Sequence, residues 1–178
     1  MRTIVCVLIS VLSLVLFAEE EKTGFKVKEI EPFFYCAVEK TGSFEQHNEA
    51  FQTLYEQAAQ QGFGSDFTPF GIYYNNPNQV PVEDLKWDVG FALEDSVDAK
   101  APLKVKKWEY TMLASSMYKG SFDGPEFSQA IANLMSWVME NGYTPAGPMM
   151  EKFMDMPTQD ADGGWAGTVN FFLPVQKQ

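Results

Sequence analysis

The sequence predicts an α+β fold. A strand-helix-strand-strand module is written twice, and its strands form an antiparallel sheet carrying two helices, with a central cleft on a pseudo-twofold axis. Three observations carry this. First, Gly42-Ser43-Phe44 returns as Gly120-Ser121-Phe122, a shift of 78. Beyond it the shift becomes 80, taking Leu54 to Leu134, Gly62 to Gly142, Tyr73 to Phe153, Pro77 to Pro157, Val89 to Val169, Phe91 to Phe171 and Leu93 to Leu173. A long period present twice marks a duplicated module, not a solenoid. Second, Leu85, Trp87, Val89, Phe91 and Leu93 alternate with other residues, as in a strand with one buried face. Third, Phe51, Leu54, Tyr55 and Ala58 recur at helical spacing.

Each element follows from local chemistry. Copy one spans about 25–96 and opens with strand-like runs at 25–30 and 33–39; copy two spans about 102–176, with runs at 103–108 and 110–118. Ser43 with Gln46 has capping-box spacing, and Gly62 is a natural stop. Asp123 and Glu126 repeat that spacing, Pro125 sits in the first turn, and Gly142 ends the helix. The second helix carries the stripe Phe127, Ile131, Leu134 and Val138. Two strands follow each helix, separated by the polar loops 75–81 and 155–164, and residues 100–102 form a hinge between the copies. On this pattern Asp88 and Glu94 read as strand surface.

Residues 1–18 read differently. Arg2 precedes an apolar run from Ile4 to Ala18, too short for the roughly 20 residues of a membrane span. With Ala18 before Glu19-Glu20-Glu21, the segment reads as a signal peptide, an uncleaved anchor being the alternative. The expected mature chain, 19–178, is periplasmic or secreted and holds 12 basic against 24 acidic side chains, a net charge of −12. Such a chain repels phosphate backbones, which argues against nucleic acid as a partner, and once the signal is removed nothing points to a membrane. Cys36 alone remains, so no internal disulfide forms; it reads as buried filler. One histidine, His47, and no cysteine cluster argue against a histidine-based metal site or a catalytic triad. Asp160 and Asp162 before Gly163 lack the further acids of a calcium loop. No cofactor signature is present, phosphate-cradling glycine loops included.

Glu151 stands out. On a strand, Met149, Glu151 and Phe153 share one face, and the duplicated position holds Gly71, which has no side chain. A carboxylate between apolar side chains has its pKa raised, and suits a cation anchor or a general base; a rim carboxylate on an edge strand is the plain alternative. Trp108, Trp137, Tyr110, Tyr118, Tyr73 and Trp87 are candidate cavity walls, since aromatic faces suit cations and planar ligands, though core packing accounts for most such residues. Trp137 lies off the helix stripe, and its copy-one equivalent is Gln57. The nine methionines, Met149, Met150, Met154 and Met156 among them, suit either an adaptable pocket or ordinary packing.

The run Asn141-Gly142-Tyr143, Gly147-Pro148, Glu151-Lys152-Phe153, Asp155-Met156-Pro157 and Phe172-Leu173-Pro174-Val175 resembles the GyrI-like domain, the effector-binding domain of AraC- and MerR-type transcription regulators. Copy one agrees at Gly71-Ile72-Tyr73-Tyr74-Asn75-Asn76-Pro77 and Leu85-Lys86-Trp87-Asp88. The resemblance covers residues 25–176. It implies an aromatic ligand cleft between the copies and a glutamate anchor that opens a Glu-any-Tyr motif, mapping onto Glu151 with Phe153 in place of the tyrosine. It implies lipophilic, often cationic, ligands, and for a subset of members the hydrolysis of cyclopropane-containing compounds. The expected function is therefore small-molecule binding by Glu151, Trp137, Trp108, Tyr110, Tyr118, Tyr73 and Phe153. A hydrolase with Glu151 as its catalytic group is the alternative, and a structural domain with a collapsed cleft is the third reading.

Overall fold

The computed structural model describes residues 24–159 and 164–178. The predicted signal segment, and Asp160, Asp162 and Gly163, lie outside the described residues. Copy one contains β1 (Lys26–Glu29), β2 (Phe33–Thr41), α1 (His47–Gln60), β3 (Phe70–Tyr73) and β4 (Lys86–Leu93). Copy two contains β5 (Leu103–Trp108), β6 (Met112–Ser121), α2 (Pro125–Glu140), β7 (Tyr143–Pro145), β8 (Met149–Phe153), β9 (Thr158–Gln159) and β10 (Trp165–Lys177). The main sheet runs β1-β6-β10-β8-β3-β4-β2-β5, with β7 and β9 on the ends of β10. Every pairing is antiparallel.

The order is symmetric about the β3–β8 junction, and the leading strands are exchanged. β1 of copy one pairs β6 of copy two, while β5 of copy two pairs β2 of copy one. At the junction Gly71 stands directly opposite Glu151. The duplicated position is therefore its own partner across the pseudo-twofold.

The ladder corrects the sequence shift at one place. Cys36 pairs Phe91, and its equivalent Ala114, 78 residues on, pairs Leu173. The equivalent of Phe91 is thus Leu173, a shift of 82, and likewise Val89 answers to Phe171 and Trp87 to Val169. The two added residues lie between β8 and β10. A slip of two leaves every side chain on the same face, so hydrophobic alternation is blind to it.

Helix starts also differ from expectation. Ser43 caps a short 3₁₀ turn over Phe44–Gln46 by accepting from the Glu45 N–H, and α1 proper begins at His47. Gly124, not Asp123, is the N-cap of α2, and the Asp123 carboxylate accepts from the Trp165 N–H instead. Both helix stops behave as the sequence indicates: Gly62 and Gly142 adopt φ of 84° and 77°, which glycine reaches without strain. The expected hinge is tied down, since the Gln61 amide bonds both the N–H and the carbonyl of Lys100.

The core has three parts. Leu54 and Ala58 of α1 bury against Cys36, Trp87, Val89 and Phe91. Leu134 and Val138 of α2 bury against Ala114, Val169, Phe171 and Leu173. On the helix-free face Tyr35, Ala37, Phe70, Ile72, Trp108, Leu113, Met150 and Phe172 form the third cluster. Curling of the sheet explains it. β5 and β6 lie six positions apart in the sheet, about 29 Å if flat at about 4.8 Å per strand. Residues 109–111 alone join them, a reach of roughly 14 Å. The sheet therefore bends its ends together around this cluster. One consequence corrects the single-faced reading of β4. Asp88 and Gly90 are buried as well as Trp87, Val89 and Phe91, so Asp88 is not strand surface, whereas Glu94 is exposed.

Candidate functional site

The helix-side face of the β3–β8 junction is where both copies meet. Glu151 lies on its floor, 7% exposed, between Gly71 on β3 and Phe171 on β10. Tyr73, two residues along β3, leans back over Gly71. A Cβ built on Gly71 would stand 2.6 Å from the Tyr73 hydroxyl. The glycine thus makes the room through which the phenol reaches Glu151. Burial raises the Glu151 pKa to about 7, and the Tyr73 hydroxyl, hydrogen-bonding toward the carboxyl, offsets part of that rise. Tyr73 is itself held far above the usual phenol range, by burial first and by the neighbouring Glu151 second.

The same hydroxyl lies 3.1 Å from Nε2 of His47. His47 is clamped by aromatic rings: Phe44 stacks on it at 5.6 Å and Trp87 meets it edge-on at 4.6 Å. Burial lowers its pKa to about 4, so it is neutral near pH 7. A chain of three titratable groups therefore runs from α1 through β3 to β8, with the phenol in the middle.

Aromatic rings wall the carboxyl on both sides. Phe153 sits between the copies, 5.4 Å from Phe51 of α1 and 5.8 Å from Phe122 at the start of the α2 side. Tyr118 and Phe127 continue that second wall, 5.4 Å apart. These rings are partly exposed while the carboxyl is buried, so the acid lies beneath a cluster of aromatic rings drawn from both copies. Among the described residues no lysine pairs with Glu151, and ion pairs are made by Lys40, Lys104, Lys106 and Lys107 with other acids.

Of the residues singled out from sequence, Glu151, Tyr73, Phe153 and Tyr118 come together here, with Trp87 behind His47. Three lie elsewhere. Trp137 stacks on Phe25 at 5.8 Å, beside the outer strand β1. Trp108 is buried in the cluster on the opposite face, its indole N–H without a hydrogen-bond partner, and Tyr110 packs on it at 5.0 Å. Trp108 closes the curled sheet on its helix-free face, whereas Trp137 packs the helix side of copy two. His47, Phe44, Phe51, Phe122 and Phe127 were not singled out as site residues. The repeat held a signal for two of them: Phe44 and Phe122 end the duplicated Gly-Ser-Phe, and they pack on Tyr73 and on Phe153 respectively.

With this geometry in place the relatives are informative. The sequence profile of the GyrI-like small molecule binding domain matches residues 24–165. The chain belongs to that family. Among solved structures, the C-terminal domain of EcmrR superposes with a TM-score of 0.68 at 16% identity, covering 86% of this chain and 98% of that one. EcmrR in its DNA complex gives 0.65 at 17% identity, over 89% of this chain and 60% of that one. A hydrolase from Listeria innocua gives 0.63 at 14% identity, over 85% and 91%. At these identities the likeness is one of fold. No curated protein matches the chain.

Phe153 lacks the hydroxyl of the Glu-any-Tyr motif, yet a phenol does reach Glu151. It comes from Tyr73, the equivalent position in copy one.

Proposed function

We propose that this GyrI-like domain holds a lipophilic, cationic small molecule in the aromatic cleft between its copies, with Glu151 as the polar anchor. One observation carries the reading: a nearly solvent-excluded carboxyl without a cationic partner among the described residues, walled by aromatic rings. An ionised carboxylate in such a place is costly until an opposite charge completes it, and ring faces add cation–π attraction. With its pKa near 7, Glu151 loses a proton as the cation enters, so binding tightens as pH rises through 7. The acidic excess argues against nucleic acid as a direct partner of this chain. The basic-then-apolar segment 1–18 supports export to the periplasm or beyond; sequencing the N-terminus of secreted protein tests this, and an intact Met1 on cytoplasmic material counts against it.

A second reading is favoured by a specific observation. Tyr73, placed between Glu151 and His47, is the second polar group that proton transfer needs. A hydrolase opening a strained cyclopropane would use Glu151 to hold water or a developing cation.

Calorimetry with a hydrophobic aromatic cation, and product analysis with a cyclopropane-bearing electrophile, separate the two. Glu151→Gln should weaken a cation by roughly 2–5 kcal/mol in the binding reading. In the hydrolase reading it should abolish turnover and leave substrate affinity comparatively intact. If the substitution changes neither, both readings of this residue fail.

A further inference from the structure

The helix-free face offers an internal control that the cleft does not. Both copies keep a lysine pair on their leading strand: Lys104 and Lys106 on β5, and Lys26 and Lys28 at the equivalent positions on β1. In copy one these lysines are neutralised. Glu39 accepts from both Lys104 and Lys106, and the Lys106 Nζ lies 2.6 Å from the Asp88 carboxylate. The Tyr74 hydroxyl donates to Asp88 at 2.6 Å and closes the network.

Copy two retains the cations and lacks both acids. The position of Glu39 is Met117 and that of Asp88 is Asn170, while a third lysine, Lys152, stands where copy one has Ile72. Lys28 lies over the Phe172 ring at 4.1 Å, and Lys152 is the β8 partner of Asn170. Neither Lys26, Lys28 nor Lys152 has a carboxylate partner among the described residues. Lys28 and its equivalent Lys106 are consequently shifted in opposite directions. Burial lowers Lys28, and Lys152 and Lys26 push it further down. Burial also acts to lower Lys106, but Asp88, with Tyr35 and Glu39, outweighs it and holds that amine above its ordinary value. Crowded like charges are unfavourable unless something anionic completes them, and this cluster is a local basic patch in an acidic chain.

We propose that Lys26, Lys28 and Lys152, with the Asn170 amide as a neutral donor and Phe172 as floor, form a second binding site, specific for a phosphate or carboxylate group. It lies on the opposite side of the sheet from Glu151 and is independent of the cleft. A dianionic phosphate does there what Glu39 and Asp88 do in copy one, accepting from several ammonium groups at once. The group is either a free anion or the headgroup of an acidic lipid.

The test restores the missing acids. In chain 19–178, inorganic phosphate should raise the Tm relative to chloride of equal ionic strength, and should slow acylation of Lys28 by an amine-selective reagent. Met117→Glu/Asn170→Asp, which copies the acids of copy one, should weaken phosphate at least about tenfold, as should Lys28→Gln/Lys152→Gln. Vesicles of phosphatidylglycerol against phosphatidylcholine then assign the source. Capture by the acidic vesicles alone, lost in both variants, points to a lipid headgroup, and a response to phosphate without capture points to a free anion. A phosphate response that survives both variants, or no response to either probe, overturns the proposal.

Discussion

The two copies share one scaffold and divide the chemistry. At the cleft, each polar position of one copy faces an apolar or empty equivalent in the other. Tyr73 answers to Phe153, His47 to Phe127 and Gly71 to Glu151, while Phe44 and Phe122 keep the same ring on both walls. On the opposite face, copy one keeps Glu39 and Asp88 where copy two has Met117 and Asn170. A pseudo-twofold brings equivalent positions face to face, so a single substitution in one copy makes an asymmetric site. Gly71 shows this most directly: its missing side chain leaves the space that the Tyr73 hydroxyl enters, directly across the strand pair from Glu151.

Equivalence of the scaffold is tested most forcefully at the helices. Leu54 and Leu134 are both fully buried at matching positions. Leu54→Ala and Leu134→Ala should each cost about 2–5 kcal/mol in chemical denaturation. Costs that differ by more than about 2 kcal/mol would show that the copies are not equally packed.

The pH dependence sharpens the contrast between the acid of copy two and the histidine of copy one. Glu151 has a folded pKa of about 7 against an ordinary 4.5, so its contribution is full below pH 4.5 and is lost as pH rises through 7. His47 has a folded pKa of about 4 against 6.5, so its contribution is present above pH 6.5 and is lost as pH falls to 4. The two slopes oppose one another between about pH 4.5 and 6.5. Glu151→Gln should remove the alkaline loss and gain about 2–3 kcal/mol at pH 8, while stability still falls in acid. Denaturant titrations at pH 4, 6 and 8 read both limbs, and an unchanged slope between pH 6 and 8 would contradict the assignment.

The smallest effect concerns the compensated lysines. Asp88→Asn gives copy one the residue of copy two and leaves Lys106 with Glu39 as its remaining acid. Because Lys106 is partly solvated, the cost should be about 1–2 kcal/mol, falling as salt is added. A neutral outcome would mean that the Asp88 network contributes nothing to the difference between the two faces.

Much of this was legible in the chain alone. The duplication, the two helices with their glycine stops and the equivalence of Glu151 to a glycine all follow from periodicity and side-chain chemistry. Those properties are local, or repeat along the chain, and one sequence carries them. Tertiary structure decided the rest. The exchange of β1 and β5 and the curling of the sheet depend on which edges meet, and this buried Asp88 and drew Trp108 and Tyr110 into the wall opposite the cleft. The two-residue slip of β10 leaves alternation unchanged, so only hydrogen-bond pairing reveals it. The Glu151–Tyr73–His47 chain joins positions from three elements, and its middle hydroxyl comes from copy one, where glycine takes the place of the glutamate. Contacts across a symmetry axis have no fixed separation in sequence, which is why folding alone brings them together.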